Sequence, residues 1–158
     1  MTRDPGGVVL QRVYLDTTVP SAHIDPRAPD RQRLTQEFWT ERLPSYEGVI
    51  SVLVLSEIRD TPDVEKRVLL ESLLRSHAIL PSTPEAEALA DEYVGRGVIP
   101  LKFRDDALHV AIAVAHGVPL LASWNFRHLV RLQVRRQINL INALLGYGPI
   151  EIVSPPEL

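Results

Sequence analysis

The chain has 158 residues, 45% of them hydrophobic and 23% charged, enough for one domain with a real core and too few for two ordinary ones. Its net charge of -3 gives no global affinity for nucleic acid, so any basic surface must be local. It has no cysteine, which excludes disulfide scaffolds and thiolate metal sites. No apolar run approaches the roughly 20 residues of a membrane span, and MTRDPGGVVL lacks the apolar core of a signal peptide. A cytoplasmic protein is expected.

Residues 1–7 read as a flexible lead-in and Val8–Leu15, rich in Val and Leu, as the first strand, ending at Asp16. Pro20–Pro29 carries the Pro, Ser and Asp of a loop. Arg31–Leu43 sets Leu34, Phe38 and Leu43 among charges, an amphipathic helix. Gly48–Ile50 suits a short strand, after which Ser51 caps a helix bearing Glu57; the alternative is one long strand. Asp63–Arg75 has a helical repeat of Val64, Val68, Leu69, Leu73 and Leu74. Ala78–Leu80 is a short strand, and Thr83 caps a helix with Pro84 at its first position, running to Gly95.

The stretch Phe103–His128, FRDDALHVAIAVAHGVPLLASWNFRH, is the centre of the pattern. Asp105 and Asp106 open a run apolar nearly all round, a helix buried on most sides, and Gly117 stops it. Val118–Ala122 is a strand buried on both faces, followed by polar Ser123, Asn125, Arg127 and His128. Leu129–Leu145 reads as a helix, Ile150–Val153 as a last strand and residues 154–158 as a tail. Short strands alternating with helices imply a parallel sheet covered on both faces.

Asp16, Glu57 and Asp106 all end or begin apolar elements, and in a parallel sheet such positions meet at one edge. Converging carboxylates repel unless a cation neutralises them, and hard oxygen donors favour Mg²⁺ or Mn²⁺. Each acid also has a plain structural reading: Asp16 as a turn residue with Thr17 and Thr18, Asp105 and Asp106 as helix-start acids, Glu57 as a solvated acid. No Asp or Glu occurs between Asp106 and Glu151. Arg127, Arg131 and Arg135 step by four, so on one helix they would share a face suited to a phosphate backbone or to water. Trp124 reads as a core wedge, a dimer contact or a base-stacking ring. His109, one turn past Asp106, reads as a hydrogen-bonded core residue, with orienting a carboxylate as the alternative.

Three blocks carry a family resemblance: VYLDTTV (residues 13–19), ISVLVLSEI (50–58) and DDALHVAIAVAHGVPLLASWNFRHLV (105–130). In that order and spacing the chain resembles PIN-domain proteins, and within them the VapC-type toxin ribonucleases of toxin–antitoxin pairs. The resemblance implies a three-layer α/β/α sandwich around a central parallel sheet, formed by residues 1–158 as a single domain. It implies metal-dependent cleavage of RNA phosphodiester bonds with Mg²⁺ or Mn²⁺ on Asp16, Glu57 and Asp106, an antitoxin protein as partner and a homodimer. The family's fourth acidic position falls on Asn125, an amide here, and a later polar position on His128. That departure leaves open a catalytically weak module that binds RNA or another partner. A haloacid-dehalogenase-like phosphatase would use Asp16 as nucleophile with a second acid two residues on, where this chain has Thr18.

Overall fold

The computed structural model describes residues 2–158; Met1, part of the expected lead-in, lies outside them. Five strands form one all-parallel sheet: β1 (Arg12–Leu15), β2 (Glu47–Ser51), β3 (Ala78–Leu80), β4 (Leu120–Ala122) and β5 (Glu151–Val153), in the order β3-β2-β1-β4-β5. Seven helices connect them: α1 (Thr18–His23), α2 (Pro29–Glu37), α3 (Val52–Arg59), α4 (Val64–Leu74), α5 (Pro84–Gly95), α6 (Arg104–Ala115) and α7 (Leu132–Leu144). Helices α1–α4 pack on one another and α5–α7 form a second group. Right-handed crossovers place the two groups on opposite faces of the sheet. The result is the expected α/β/α sandwich.

The order reverses at β1, which pairs β2 on one side and β4 on the other. Tyr14 stands opposite Val49 and Leu121, and Leu15 opposite Ala122. The crevice beyond the carboxyl ends of β1 and β4 is therefore the topological switch point, where open α/β sheets hold ligands. Val13, Tyr14 and Leu15 have no exposed surface, and α6 buries every residue from Ala107 to Val114. That explains why β1 and α6 read as continuous apolar runs rather than alternating or amphipathic ones. Gly117 closes α6 at φ +66°, a left-handed stop that a side chain would resist. At the other end of α6, Arg104 pairs with Glu87 at 2.7 Å and Asp91 at 2.8 Å, both on α5.

Ser51 does cap α3, accepting from the backbone N–H groups of Leu53 and Val54, so the strand–helix reading holds over one long strand. Asp63 and Thr83 cap α4 and α5. Four expectations need correction. The first strand is Arg12–Leu15 only; Val8 and Val9 are exposed, and residues 2–10 fold back on themselves through Asp4 N–H to Val8 O and Leu10 N–H to Thr2 O, both 2.9 Å. The expected loop at Pro20 begins as helix α1, because Pro20 falls in its first turn, where the missing N–H would find no helical partner. The helix read over Arg31–Leu43 starts at Pro29 and passes into a π-helical turn at Phe38–Arg42. The last helix starts at Leu132 rather than Leu129. Residues Pro155–Glu157 form a 3₁₀ turn closed by a Ser154–Glu157 capping box, with Ser154 and Pro155 buried.

Candidate active site

The carboxyl edge of the sheet collects the acids. Asp16 follows β1 directly and is 2% exposed. Its backbone N–H extends the ladder to Ala122 O. Its side chain closes an Asx-type turn, accepting at Oδ1 from the Thr18 N–H at 3.0 Å and from the Thr18 hydroxyl. The turn reading of Asp16 therefore holds, with the side chain at the carboxyl edge of the sheet. Thr18 Oγ1 accepts in turn from the Trp124 backbone N–H at 2.8 Å. This bond joins the start of α1 to the turn after β4 across the switch point.

That turn is built from its own polar side chains. Ser123, fully buried, accepts from Asn125 N–H at 2.9 Å. Asn125 Oδ1 accepts from His128 N–H at 3.0 Å, and Asn125 O takes the N–H groups of both Leu129 and Val130 at 3.0 Å. Trp124 is a core wedge, its indole N–H donating to Thr35 Oγ1 at 2.9 Å, while Arg31 sits 5.2 Å over the ring.

Glu57 reaches the edge from α3 and Asp106 from the first turn of α6; Asp105, beside it, is exposed. Between them stands His109, 3% exposed. Its Nε2 lies 2.5 Å from Glu57 Oε1 and its Nδ1 2.7 Å from the Tyr14 hydroxyl, which is itself 2.7 Å from Ser51 Oγ. Tyr14 and Asp16 share a face of β1 because they are two residues apart. His109 is the functional candidate that sequence reasoning set aside; its signal was the three-residue step from Asp106, which puts both on one helix face. Tyr14 carries no local signal, while Ser51 is legible only as the cap of α3 and Ser123 only as part of the polar cluster after β4.

The electrostatics record how close these groups are. Burial pushes the Asp16 carboxyl above its ordinary range, against the pull of His109, Ser123 and Thr18. Burial raises Asp106 as well; the polar Asn125 side chain and the nearby His128 and His109 oppose this, and Glu57 adds to the rise. Burial alone would lower His109, but the bond to Glu57 and the charges of Asp16, Glu57 and Asp106 outweigh it and leave the ring raised. His109 therefore senses all three acids.

Among the described residues, no three His, Asp or Glu side chains are already gathered as ligands around one point. The donor chemistry nevertheless suits a hard divalent cation: three carboxylates, two of them desolvated by burial and one of these, Asp106, raised further by the charge of Glu57, and no soft ligand. Glu57, with 37% of its side chain exposed, has the freedom to complete such a set. It lines a cleft of about 320 Å³ together with Thr17, Thr18, Asp25, Arg31 and Trp124.

The arginine stripe does not form. Arg127 lies in the turn, with its guanidinium 5.8 Å from the Phe103 ring centre; Arg131 is the residue before α7; Arg135 alone is helical and donates to Ile152 O at 3.2 Å. The turn held by Asn125 breaks the helical phase on which a shared face depended. Instead, Lys102 and Arg127 both lie over Phe103, whose ring stacks on His128 with centres 4.0 Å apart. This gathers two cations around the Phe103–His128 stack, between the start of α6 and the turn after β4.

A model of the PIN domain matches residues 13–131. No curated protein sequence matches the chain. Among solved structures, VapC20 of Mycobacterium tuberculosis, described as a Sarcin-Ricin loop cleaving toxin, aligns with TM-score 0.56 at 17% identity, over 88% of this chain and 98% of its own. VapBC2 of Rickettsia felis, bound to a DNA fragment from its promoter, aligns with TM-score 0.53 at 16% identity, over 74% of this chain and 90% of that one. At such identities the likeness is one of fold.

Proposed function

The chain belongs to the PIN domain family, and from that premise we propose that it is a metal-dependent endoribonuclease, the toxin half of a toxin–antitoxin pair. The observation that carries the reading is that Asp16 directly follows β1 and Asp106 stands in the first turn of α6 beside the switch point of the sheet, with His109 of the same helix in hydrogen-bond contact with Glu57 of α3. Strands β1 and β4 end side by side, and the acid after β1, the helix-start acid of α6 and the polar turn after β4 all lie on the side of the sheet where such folds hold ligands.

Asp16, Glu57 and Asp106 would hold Mg²⁺ or Mn²⁺, with Asn125 contributing a neutral oxygen or orienting a water. When bound, such an ion lowers the pKa of a coordinated water and stabilises charge on a phosphoryl group. The chain's own residues do the rest. Thr18 fixes the Asp16 carboxylate by two donors, and Asn125 fixes the turn that faces Asp106. Arg31 over Trp124 and Lys102 and Arg127 over Phe103 would supply counter-charges for phosphates on either side of the scissile one. A partner antitoxin and a second copy of the chain belong to the proposal, for which the exposed apolar Leu132, Leu140 and Leu144 on α7 offer area. The reading also takes the protein to be a single domain acting in the cytoplasm.

A second reading is favoured by Asn125, whose uncharged amide stands where the resemblance expects an acid and whose oxygen already accepts from His128 N–H. It is a module that binds RNA or a partner and cleaves poorly. Single-stranded RNA incubated with Mn²⁺ separates the two. Cleavage by the wild type that stops with chelator and with Asp106→Asn supports the nuclease; RNA binding without cleavage supports the module, and equal cleavage by Asp106→Asn removes Asp106 from the chemistry.

A further inference from the structure

The hydrogen bonds around His109 have a direction that can be worked out from donor counts. Ser51 Oγ accepts from the N–H groups of Leu53 at 3.2 Å and Val54 at 3.4 Å, which uses both of its lone pairs. Its own hydrogen therefore goes to the Tyr14 oxygen, 2.7 Å away. The Tyr14 hydrogen then goes to His109 Nδ1, also at 2.7 Å. With Nδ1 an acceptor, the ring's N–H is on Nε2 and points at Glu57 Oε1. The tautomer is thus assigned by a chain that begins at the cap of α3 and ends on the carboxylate six residues along the same helix.

We propose that His109 is a positioning residue, whose Nε2–H holds the Glu57 carboxylate at the acid edge so that it can join Asp16 and Asp106 around a divalent cation. The asymmetry of burial makes this necessary. His109 is 4% exposed at the side chain and Glu57 is 37% exposed. A glutamate on an open helix face has three free torsions and would otherwise spend its time in water. Among the described residues, its carboxylate has no other side-chain partner, so one bond decides where it points. Tyr14 holds the ring in turn, edge-on with centres 5.8 Å apart. Metal-binding carboxylates are commonly fixed by such outer partners, and loss of one costs about 10- to 100-fold in metal affinity. His109 itself is not a ligand here, because both of its nitrogens are occupied by protein groups.

This inference rests on the metal-dependent reading, and Mn²⁺ binding followed by calorimetry on the full chain, with no RNA present, tests it. His109→Leu keeps much of the volume and removes the donor; His109→Gln returns an amide N–H near the position of Nε2. The expected result is affinity about 10- to 100-fold weaker in His109→Leu and within about threefold of wild type in His109→Gln, with Tyr14→Phe about three- to tenfold weaker by loosening the ring. Thermal melts of the same samples report folding. If His109→Leu does not fold, Tyr14→Phe carries the comparison, and unchanged affinity there overturns the proposal. Lowered melting temperatures with unchanged Mn²⁺ affinity would mean a purely structural histidine. Equal loss in His109→Gln and His109→Leu would mean that the ring is itself a ligand, which also overturns it. Failure of the wild type to bind Mn²⁺ overturns the metal-dependent reading together with this one, whereas wild-type binding matched by both His109 variants removes the positioning role alone.

Discussion

The Thr18 hydroxyl accepts the backbone N–H of Trp124 at 2.8 Å while donating to Asp16, so a single oxygen ties the end of β1, the start of α1 and the turn after β4 together. Thr18→Val has nearly the same shape but no oxygen. It leaves the Trp124 N–H without its acceptor and removes one donor from a buried carboxylate. Leaving a buried polar group unsatisfied costs about 1–3 kcal/mol. Urea unfolding is expected to show Thr18→Val destabilised by that amount and Thr18→Ser, which keeps the oxygen, by well under half of it. A larger loss in Thr18→Ser than in Thr18→Val would mean that the methyl contact, and not the hydroxyl, holds the turn.

Asp16 predicts the opposite sign. Burial raises its pKa in the folded state, so folding favours the protonated acid. A raised pKa contributes stability that is present below the unfolded pKa and lost as pH rises through the folded one. Above that point the ionised carboxylate is a burden on the fold. Asp16→Asn keeps an oxygen for both Thr18 donors and removes the charge. In metal-free buffer at neutral pH, it is expected to stabilise the protein by on the order of 0.5–2 kcal/mol, the usual gain when a strained functional group is relaxed. The gain should shrink as the pH falls and the wild-type acid takes up its proton. Urea titrations of both proteins across pH 4 to 8, roughly the range over which carboxyls and histidines titrate, check the slope. A stability difference that stays flat with pH would mean that Asp16 is not burdened by its charge. RNA cleavage should be lost in the same variant.

The sequence patterns that were legible are those set by neighbours in the chain. Ser51 and Thr83 announce caps because a cap is a bond across two or three residues. The acids stand out because each ends or begins an apolar run. What was hidden depends on distant partners. Val8–Leu10 has strand-forming residues but no strand beside it, so it never becomes one; β1 takes only the residues that β2 and β4 pair. Pro20 reads as a breaker until the start of α1 is known to precede it by two residues. The Tyr14–Ser51 and Tyr14–His109 bonds span 37 and 95 residues, and no local pattern records them. The arginine spacing misled for the same reason: Asn125 caps a turn that resets the phase before α7 begins.

Trp39, in the π-helical turn, is flanked by two histidines, His23 at 5.3 Å and His77 at 5.5 Å between ring centres. Both Nδ1 atoms are buried without a hydrogen-bond partner, and burial lowers both pKa values. Here the folded state disfavours the proton, so the unfolded chain binds more protons between the two pKa values and stability falls as pH drops below the unfolded value of about 6.5. Acidification from pH 7.5 to 5, bracketing that value, should lower the melting temperature. His77→Phe should reduce the loss, since it keeps the ring against Trp39 and cannot take up a proton. Gly48 packs closely on the same ring, with space for no Cβ before 2.9 Å from His77, so Gly48→Ala should destabilise at every pH by about 1–3 kcal/mol. An unchanged pH slope in His77→Phe would assign the acid loss to other groups.

The two cationic flanks make the last claim that solution measurements can decide. Arg31, Lys102 and Arg127 are exposed, lie over Trp124 or Phe103, and form no salt bridge among the described residues. If they neutralise RNA phosphates, each contact releases bound counterions, and the logarithm of affinity falls with the logarithm of salt by about 0.7 for each phosphate contacted on a single strand. Removing one such side chain should weaken binding about equally for all sequences and flatten the salt slope by roughly one contact. Arg135→Ala is the control. Its guanidinium is spent on Ile152 O, so it should lower stability by about 1 kcal/mol, the usual net worth of a hydrogen bond, and leave the salt slope unchanged. Binding of a short labelled RNA over a salt series, in the Asp106→Asn background so that any cleavage through Asp106 is removed, distinguishes them. A slope that falls for Arg135→Ala and not for Arg31→Ala, Lys102→Ala or Arg127→Ala would move the RNA path from the flanks of the acid edge to the face of α7.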